Sequence, residues 1–129
     1  MSLQASVILL GVKDVERAKK FYAEGLGCEV TQDYPGFVRC NLGEGSSDLA
    51  LYGREEAAEE AGVSPEGSGF RGVSFHFITD TREEVDEVVR AAEAAGGTVV
   101  RAVAEADWGG YFGYFSDPDG HVWKVVCPT

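Results

Sequence analysis

The sequence is poor in several things, and each shortage removes a class of protein. No apolar run approaches the roughly 20 residues that cross a bilayer, and no signal-peptide pattern precedes the first apolar segment. The expectation is a soluble, cytoplasmic chain. Basic residues are scarce: 11 Lys and Arg stand against 22 Asp and Glu, for a net charge of −11. Affinity for nucleic acid comes mainly from cations that neutralise phosphates, and anionic membranes attract the same cations, so neither is expected as a partner. The three cysteines, Cys28, Cys40 and Cys127, are odd in number and form no CxxC pair. They read as free thiols, buried or half-buried, with no activating base beside any of them in the chain.

What is present is an ordinary globular mixture, 44% apolar and 26% charged, in a length of 129 residues that suits one domain. Seventeen glycines against four prolines point to many tight turns in a strand-rich fold. Residues 4–11 (QASVILLG) form a short apolar run that predicts a buried strand. Asp14 then caps a helix through about Glu24, with Val15, Ala18, Phe21 and Tyr22 near one stripe and Gly25 and Gly27 ending it. Strands are predicted over 28–33, 37–42 and 47–52, separated by Tyr34-Pro35-Gly36 and by Gly43-Glu44-Gly45-Ser46. Residues 54–61 (REEAAEEA) read as a short exposed helix that works as a solvated connector. Its Glu55/Glu59 and Glu56/Glu60 pairs set like charges at i,i+4.

The second half repeats this order. A strand is predicted over 70–79, and Thr81 with Glu84 makes a capping box for a helix that turns Val85, Val88, Val89, Ala92 and Ala95 inward. Gly96-Gly97 stops that helix. Strands follow over 98–101, 111–116 and 121–127, with Asp117-Pro118-Asp119-Gly120 as the last turn. Aligning Asp14 with Asp80 brings both helices and both lead strands into register.

Three stretches carry a resemblance. They are Gly11-Val12-Lys13-Asp14-Val15-Glu16-Arg17-Ala18-Lys19-Lys20-Phe21-Tyr22, then Gly25-Leu26-Gly27, and the closing run from Gly110 through Asp117-Pro118-Asp119-Gly120 to Trp123. The chain resembles the vicinal oxygen chelate superfamily, which includes glyoxalase I, extradiol dioxygenases and bleomycin-resistance proteins. The resemblance implies an α+β fold of two βαβββ modules whose curved mixed sheets form a cup with the helices outside. Module one would span 3–53, a linker 54–69 and module two 70–128, within one domain of 1–129. It also implies a homodimer.

In active members the resemblance implies a divalent metal held by four side chains, drawn from the first and last strand of each module. Such a site needs His, Gln or Glu. The residues seven before Asp14 and Asp80, where this pattern puts ligands, are Val7 and Val73. The last-strand position of module one falls near Ala50, and the family's glutamate after the Asp-Pro-Asp-Gly turn falls at Lys124. Val, Val, Ala and Lys offer no ordinary metal ligand, so no metal and no other cofactor is expected. His76, three residues beyond Val73, is predicted to face the helix-covered side, packed and hydrogen-bonded, and His121 to lie opposite Lys124 as well.

Strand alternation predicts one surface from Val7, Leu9, Ala50, Tyr52, Val73, Phe75, Phe77, Val122, Lys124 and Val126. That set suits either a small-molecule pocket or a filled core. Lys124 among apolar neighbours has three readings: an ion pair inside the protein (Asp48 by parity) or snorkelling, an anchor for an anionic ligand, or an amine base or nucleophile. Trp108, in Asp107-Trp108-Gly109-Gly110, suits a stacking lid or a plug at the mouth, and Glu105 and Asp107 add negative charge at that rim. The leading expectation is a metal-free binder of a planar or cationic small molecule. The alternatives are a metal-dependent lyase, isomerase or dioxygenase, with ligands among His76, His121, Glu44 and Asp48, and a degenerate scaffold that binds nothing.

Overall fold

The computed structural model describes every residue except Ser2, Leu3, Ser68 and Gly72. The expected start of module one at residue 3, one linker position and one position of the predicted strand 70–79 therefore lie outside the described residues. Two compact units divide the chain, Met1–Glu66 and Gly67–Thr129. No helix among the described residues is long and apolar enough to cross a membrane.

In the first unit β1 (Val7–Val12) pairs in parallel with β4 (Asp48–Gly53), and β3 (Phe37–Asn41) joins β4 to β2 (Glu29–Tyr34). The sheet order is β1-β4-β3-β2. Asp14 caps α1 (Val15–Lys19) as its composition requires, its carboxylate accepting from the Arg17 N–H at 3.1 Å. The predicted helix does not stay α-helical to Glu24. From Lys20 to Gly25 it widens into a π-helical turn, and Phe21 and Tyr22 on that turn are among the most buried side chains of the unit. One face of the sheet takes this helix and buries Leu10, Val12, Val38, Cys40, Leu49 and Leu51. α2 (Arg54–Ala61) has no buried residue, yet it packs against β1 and β4 and so covers part of the sheet.

The second unit repeats the plan with order β5-β8-β7-β6. β5 (Ser74–Ile78) is parallel to β8 (Val122–Cys127), and β7 (Tyr111–Ser116) joins β8 to β6 (Thr98–Glu105). Beside the prediction, β5 is shorter and β6 longer: β6 carries two irregularities, between Val99 and Arg101 and between Arg101 and Ala104, that let it continue to Glu105. α3 (Arg82–Ala94) lies on β6, β7 and β8 with Val85, Val89 and Ala92 buried. Thr81 caps it from both sides, accepting from the Glu84 N–H at 3.2 Å and donating to Glu84 Oε1 at 3.1 Å.

The Asp-Pro-Asp-Gly turn is built on Asp117, which is 2% exposed. Its Oδ1 accepts from the N–H groups of Asp119 and His121 at 2.9 and 2.8 Å, and Gly120 supplies a φ of 88°. The two modules are thus each a mixed four-stranded sheet with its helix on one face, an α+β architecture of βαβββ type.

Thr81→Ala removes one cap and is expected to lower unfolding free energy by about 1 kcal/mol. Asp117→Ala leaves two N–H groups of a part-buried turn without their acceptor and is expected to lower it by roughly 2–4 kcal/mol. Urea unfolding of the two variants beside the parent chain measures both, and the larger loss belongs to Asp117.

Candidate functional site

Residues directly paired across two strands point to the same face of a sheet, so the registers sort the predicted surface. In unit one Leu9 pairs with Ala50 and Val7 with Asp48. Alternation then sets Val7, Leu9, Ala50 and Tyr52 on the face away from α1. Val7 and Leu9 are 37% and 44% exposed, whereas Ala50 is buried and Tyr52 half-buried, edge-on to Phe37. Asp48 does not wait for a lysine. Its carboxylate takes Arg39 Nε at 2.8 Å and Asn41 Nδ2 at 3.4 Å, so Arg39 on the same face satisfies it.

In unit two the predicted surface splits. β5 pairs Phe75 with Trp123, His76 with Lys124 and Phe77 with Val125. Phe75 and Phe77 therefore share the α3 face with Trp123 and Val125, and the Phe75 and Trp123 rings meet at 4.9 Å. The expectation that both phenylalanines stand beside Lys124 is corrected. So is the expectation for His76, which is exposed on the Lys124 face and is hydrogen-bonded to Ser74 Oγ at 3.1 Å. The physical reason is phase. Val73 lies before β5 and is 58% exposed, so an alternation counted from it does not carry the face of the paired strand. His121 sits in the turn before β8, its N–H held by Asp117.

The Lys124 face is richer than the sequence reading made it. Val122, Lys124 and Val126 of β8 pair with Ser116, Tyr114 and Phe112 of β7. The Lys124 ammonium stands 4.7 Å from the centre of the Phe112 ring, 5.9 Å from that of Trp108 and 6.0 Å from that of Tyr114. Among the described residues no ion pair takes this lysine, and it is accommodated by snorkelling onto aromatic faces. Arg101 lies over Phe112 too, at 4.8 Å. Trp108, 57% exposed, stacks on Phe112 at 6.2 Å with an interplanar angle of 17°. Its ring occupies the space that a Cβ on Gly110 would need, which explains the glycine there.

Sequence reasoning missed Phe112, Tyr114 and Arg101. Alternation in Tyr111-Phe112-Gly113-Tyr114 held the signal for the first two, while the bulges of β6 hid Arg101. The Trp108 hairpin is tied to α3 by Arg82, which donates to Glu105 at 2.8 Å and to the Gly109 carbonyl at 3.3 Å, and lies over the Tyr111 ring. Tyr111 donates to Asp86 at 2.7 Å, a bond that pushes the phenol pKa up.

The residues at the implied metal positions do not fit a metal. Val7, Ala50 and Val73 carry no donor, Lys124 carries a cation, and among the described residues no group of three or more His, Cys, Asp or Glu stands close enough to hold an ion. Nucleophilic sulfur is no better placed. Burial pushes the Cys28 thiol up to about 11, with Cys40 adding to it, and burial also raises Cys40. In the native chain, alkylation of Cys28 by iodoacetamide is expected to stay slow at pH 8 and to accelerate only as pH nears 11, which peptide mass spectrometry of timed samples measures.

A family model described as the Glyoxalase/Bleomycin resistance protein/Dioxygenase superfamily matches residues 4–125. Among solved structures, the chain is similar to a glyoxalase-related enzyme from Fulvimarina pelagi, at 29% identity and TM-score 0.86 over 96% of this chain and 87% of that one. It is similar to a glyoxalase/bleomycin resistance protein/dioxygenase family enzyme from Burkholderia phytofirmans at 25% identity and TM-score 0.85, covering 98% and 100%. A lactoylglutathione lyase from Agrobacterium tumefaciens aligns at 26% identity and TM-score 0.72, covering 98% and 95%. Glyoxalase 1 of Caenorhabditis elegans is 21% identical over 88% of this chain and 39% of its own length. An uncharacterized protein of Mycobacterium bovis is 35% identical over 52% and 42%. The chain spans about two-fifths of the length of these curated relatives. With the module order, the sheet topology and the family match in agreement, the chain belongs to the Glyoxalase/Bleomycin resistance protein/Dioxygenase superfamily.

Proposed function

We propose that this chain is a small-molecule-binding member of its superfamily that works without a bound metal and holds a flat organic compound against the wall formed by Trp108, Phe112 and Tyr114. The observation that carries this reading is Lys124. An ammonium sits at the position where the resemblance puts a metal-binding glutamate, and it is lodged on an aromatic platform. A cation there repels a divalent ion, whereas the exposed Trp108 ring, stacked near-parallel on a half-buried Phe112 that meets Tyr114 edge-on, offers stacking area to a planar ligand. Of the planar and cationic ligands expected from sequence, the platform favours the planar one.

The protein acts, in this reading, in the cytoplasm and without nucleic acid or membrane, since a net charge of −11 opposes polyanionic partners. It does so as a homodimer. The support is β5, an edge strand that leaves Phe77 and Ile78 45% and 66% exposed on its two faces, an apolar surface that a second copy would cover.

A second reading, a metal-dependent lyase, isomerase or dioxygenase, draws on one feature: His76 shares the Lys124 face. It draws also on the likeness to a lactoylglutathione lyase. Elemental analysis of the purified chain separates the two. The metal-free reading expects no stoichiometric Zn, Ni, Mn or Fe, and one equivalent of any of them overturns it. Trp108→Leu is expected to weaken binding of a naphthalene-based probe roughly two- to tenfold by isothermal titration, in line with the worth of one aromatic pair. Unchanged affinity removes Trp108 from the wall. Sedimentation at micromolar concentration tests the dimer, and a monomer there ends that part of the proposal.

A further inference from the structure

Four side chains stand in one line across the second sheet. The registers pair His76 of β5 with Lys124 of β8, Lys124 with Tyr114 of β7, and Tyr114 with Arg101 of β6. Neighbouring strands lie about 4.8 Å apart, so the line crosses the whole sheet in roughly 14 Å. It reads imidazole, ammonium, phenol, guanidinium. In a chain with twice as many acids as bases, three of these four side chains are of basic type.

Such a row is unfavourable by itself. Two cations on one face repel, and Lys124 and Arg101 stand two strands apart, about 9.6 Å. Elsewhere basic side chains find carboxylates: Lys19 has Asp33 at 2.6 Å, Arg39 has Asp48 at 2.8 Å and Arg82 has Glu105 at 2.8 Å. Among the described residues, no ion pair takes up Lys124 or Arg101. Both lie instead over the same Phe112 ring, at 4.7 and 4.8 Å. The ring holds the two cations near the sheet and leaves their remaining N–H donors without an anionic partner.

Resting on the reading of this face as a small-molecule site, we infer that its ligand is a flat organic anion, whose conjugated ring stacks on the Trp108–Phe112–Tyr114 wall while its carboxylate or phosphate lies along the His76–Lys124–Tyr114–Arg101 row. A neutral flat molecule would leave both cations unmatched, a cationic one would add a third positive group, and a bare inorganic anion would leave the rings unused. The Tyr114 hydroxyl, between Lys124 and Arg101 in register, supplies a further donor to the same anionic group.

The test compares four probes of one shape on the full chain by isothermal titration: 2-naphthoate, 2-naphthamide, 2-naphthylmethylammonium and 2-naphthyl phosphate. Naphthoate, the phosphate or both are expected to bind at least tenfold more tightly than the amide, and the ammonium more weakly than the amide. The tighter of the two anions tells whether carboxylates or phosphate monoesters are the natural class. Lys124→Met and Arg101→Met are each expected to cut the preference for anion over amide several-fold, leave amide binding in place and not lower the thermal midpoint. Should Lys124→Met not fold, Arg101→Met at an exposed position carries the same comparison. Amide or ammonium binding as tightly as the anions overturns the inference while leaving a small-molecule site standing. Failure of all four probes overturns the site and the inference together.

Discussion

The parallel pairing of β5 with β8 is the constraint on which the second module turns. It runs from Ser74 opposite Val122 to Ile78 opposite Val126. Because paired residues share a face, this one register places Phe75 and Phe77 on the α3 face of the sheet and His76 beside Lys124. A slip of one residue would reverse every assignment, bringing two phenyl rings to the lysine and a histidine under the helix. The cation row and the apolar core beneath α3 are two consequences of the same set of hydrogen bonds.

That register also explains how a lysine is tolerated in the middle of an aromatic sheet. Lys124 is flanked in register by His76 and Tyr114, and its ammonium reaches along the sheet to Phe112. Cation–π contact is worth roughly 0.5–2 kcal/mol depending on desolvation, less than a buried ion pair loses when one partner is removed. The arrangement holds the charge in place without consuming it. Unit one treats its own open face differently: Arg39 and Asp48 neutralise each other there, so the two structurally repeated modules carry unlike electrostatics on matching surfaces.

The elements that are local in origin were legible before any coordinates. Asp14 and Thr81 cap helices because their side-chain oxygens reach the third N–H onward, and the Asp117–Gly120 turn closes because aspartate and glycine suit it chemically. The α2 boundaries, 54–61, follow from an uninterrupted run of helix formers. Strand existence was legible as well. What alternation could not supply for 70–79 was its phase, since apolar residues occur at both parities: Phe75 and Phe77 at one, Ile78 at the other. The site residues missed, Phe112, Tyr114 and Arg101, are aromatic or long side chains that read as ordinary strand fillers until their neighbours are known. Arg101 needed in addition the bulges that carry β6 past it.

The amino-acid sequence alone determined the two-module order, the helix caps, the final turn, the acidic balance and the lack of metal-binding side chains at Val7, Ala50, Val73 and Lys124, because each depends on residue type or on spacing within one short segment. Tertiary structure alone decided which face of β5 meets α3, that Asp48 belongs to Arg39, and that Lys124, Arg101 and Trp108 converge on Phe112. Those outcomes rest on pairing between strands far apart in the chain. A residue's periodicity says that it has two sides, and only its neighbour's hydrogen bonds say which side looks inward.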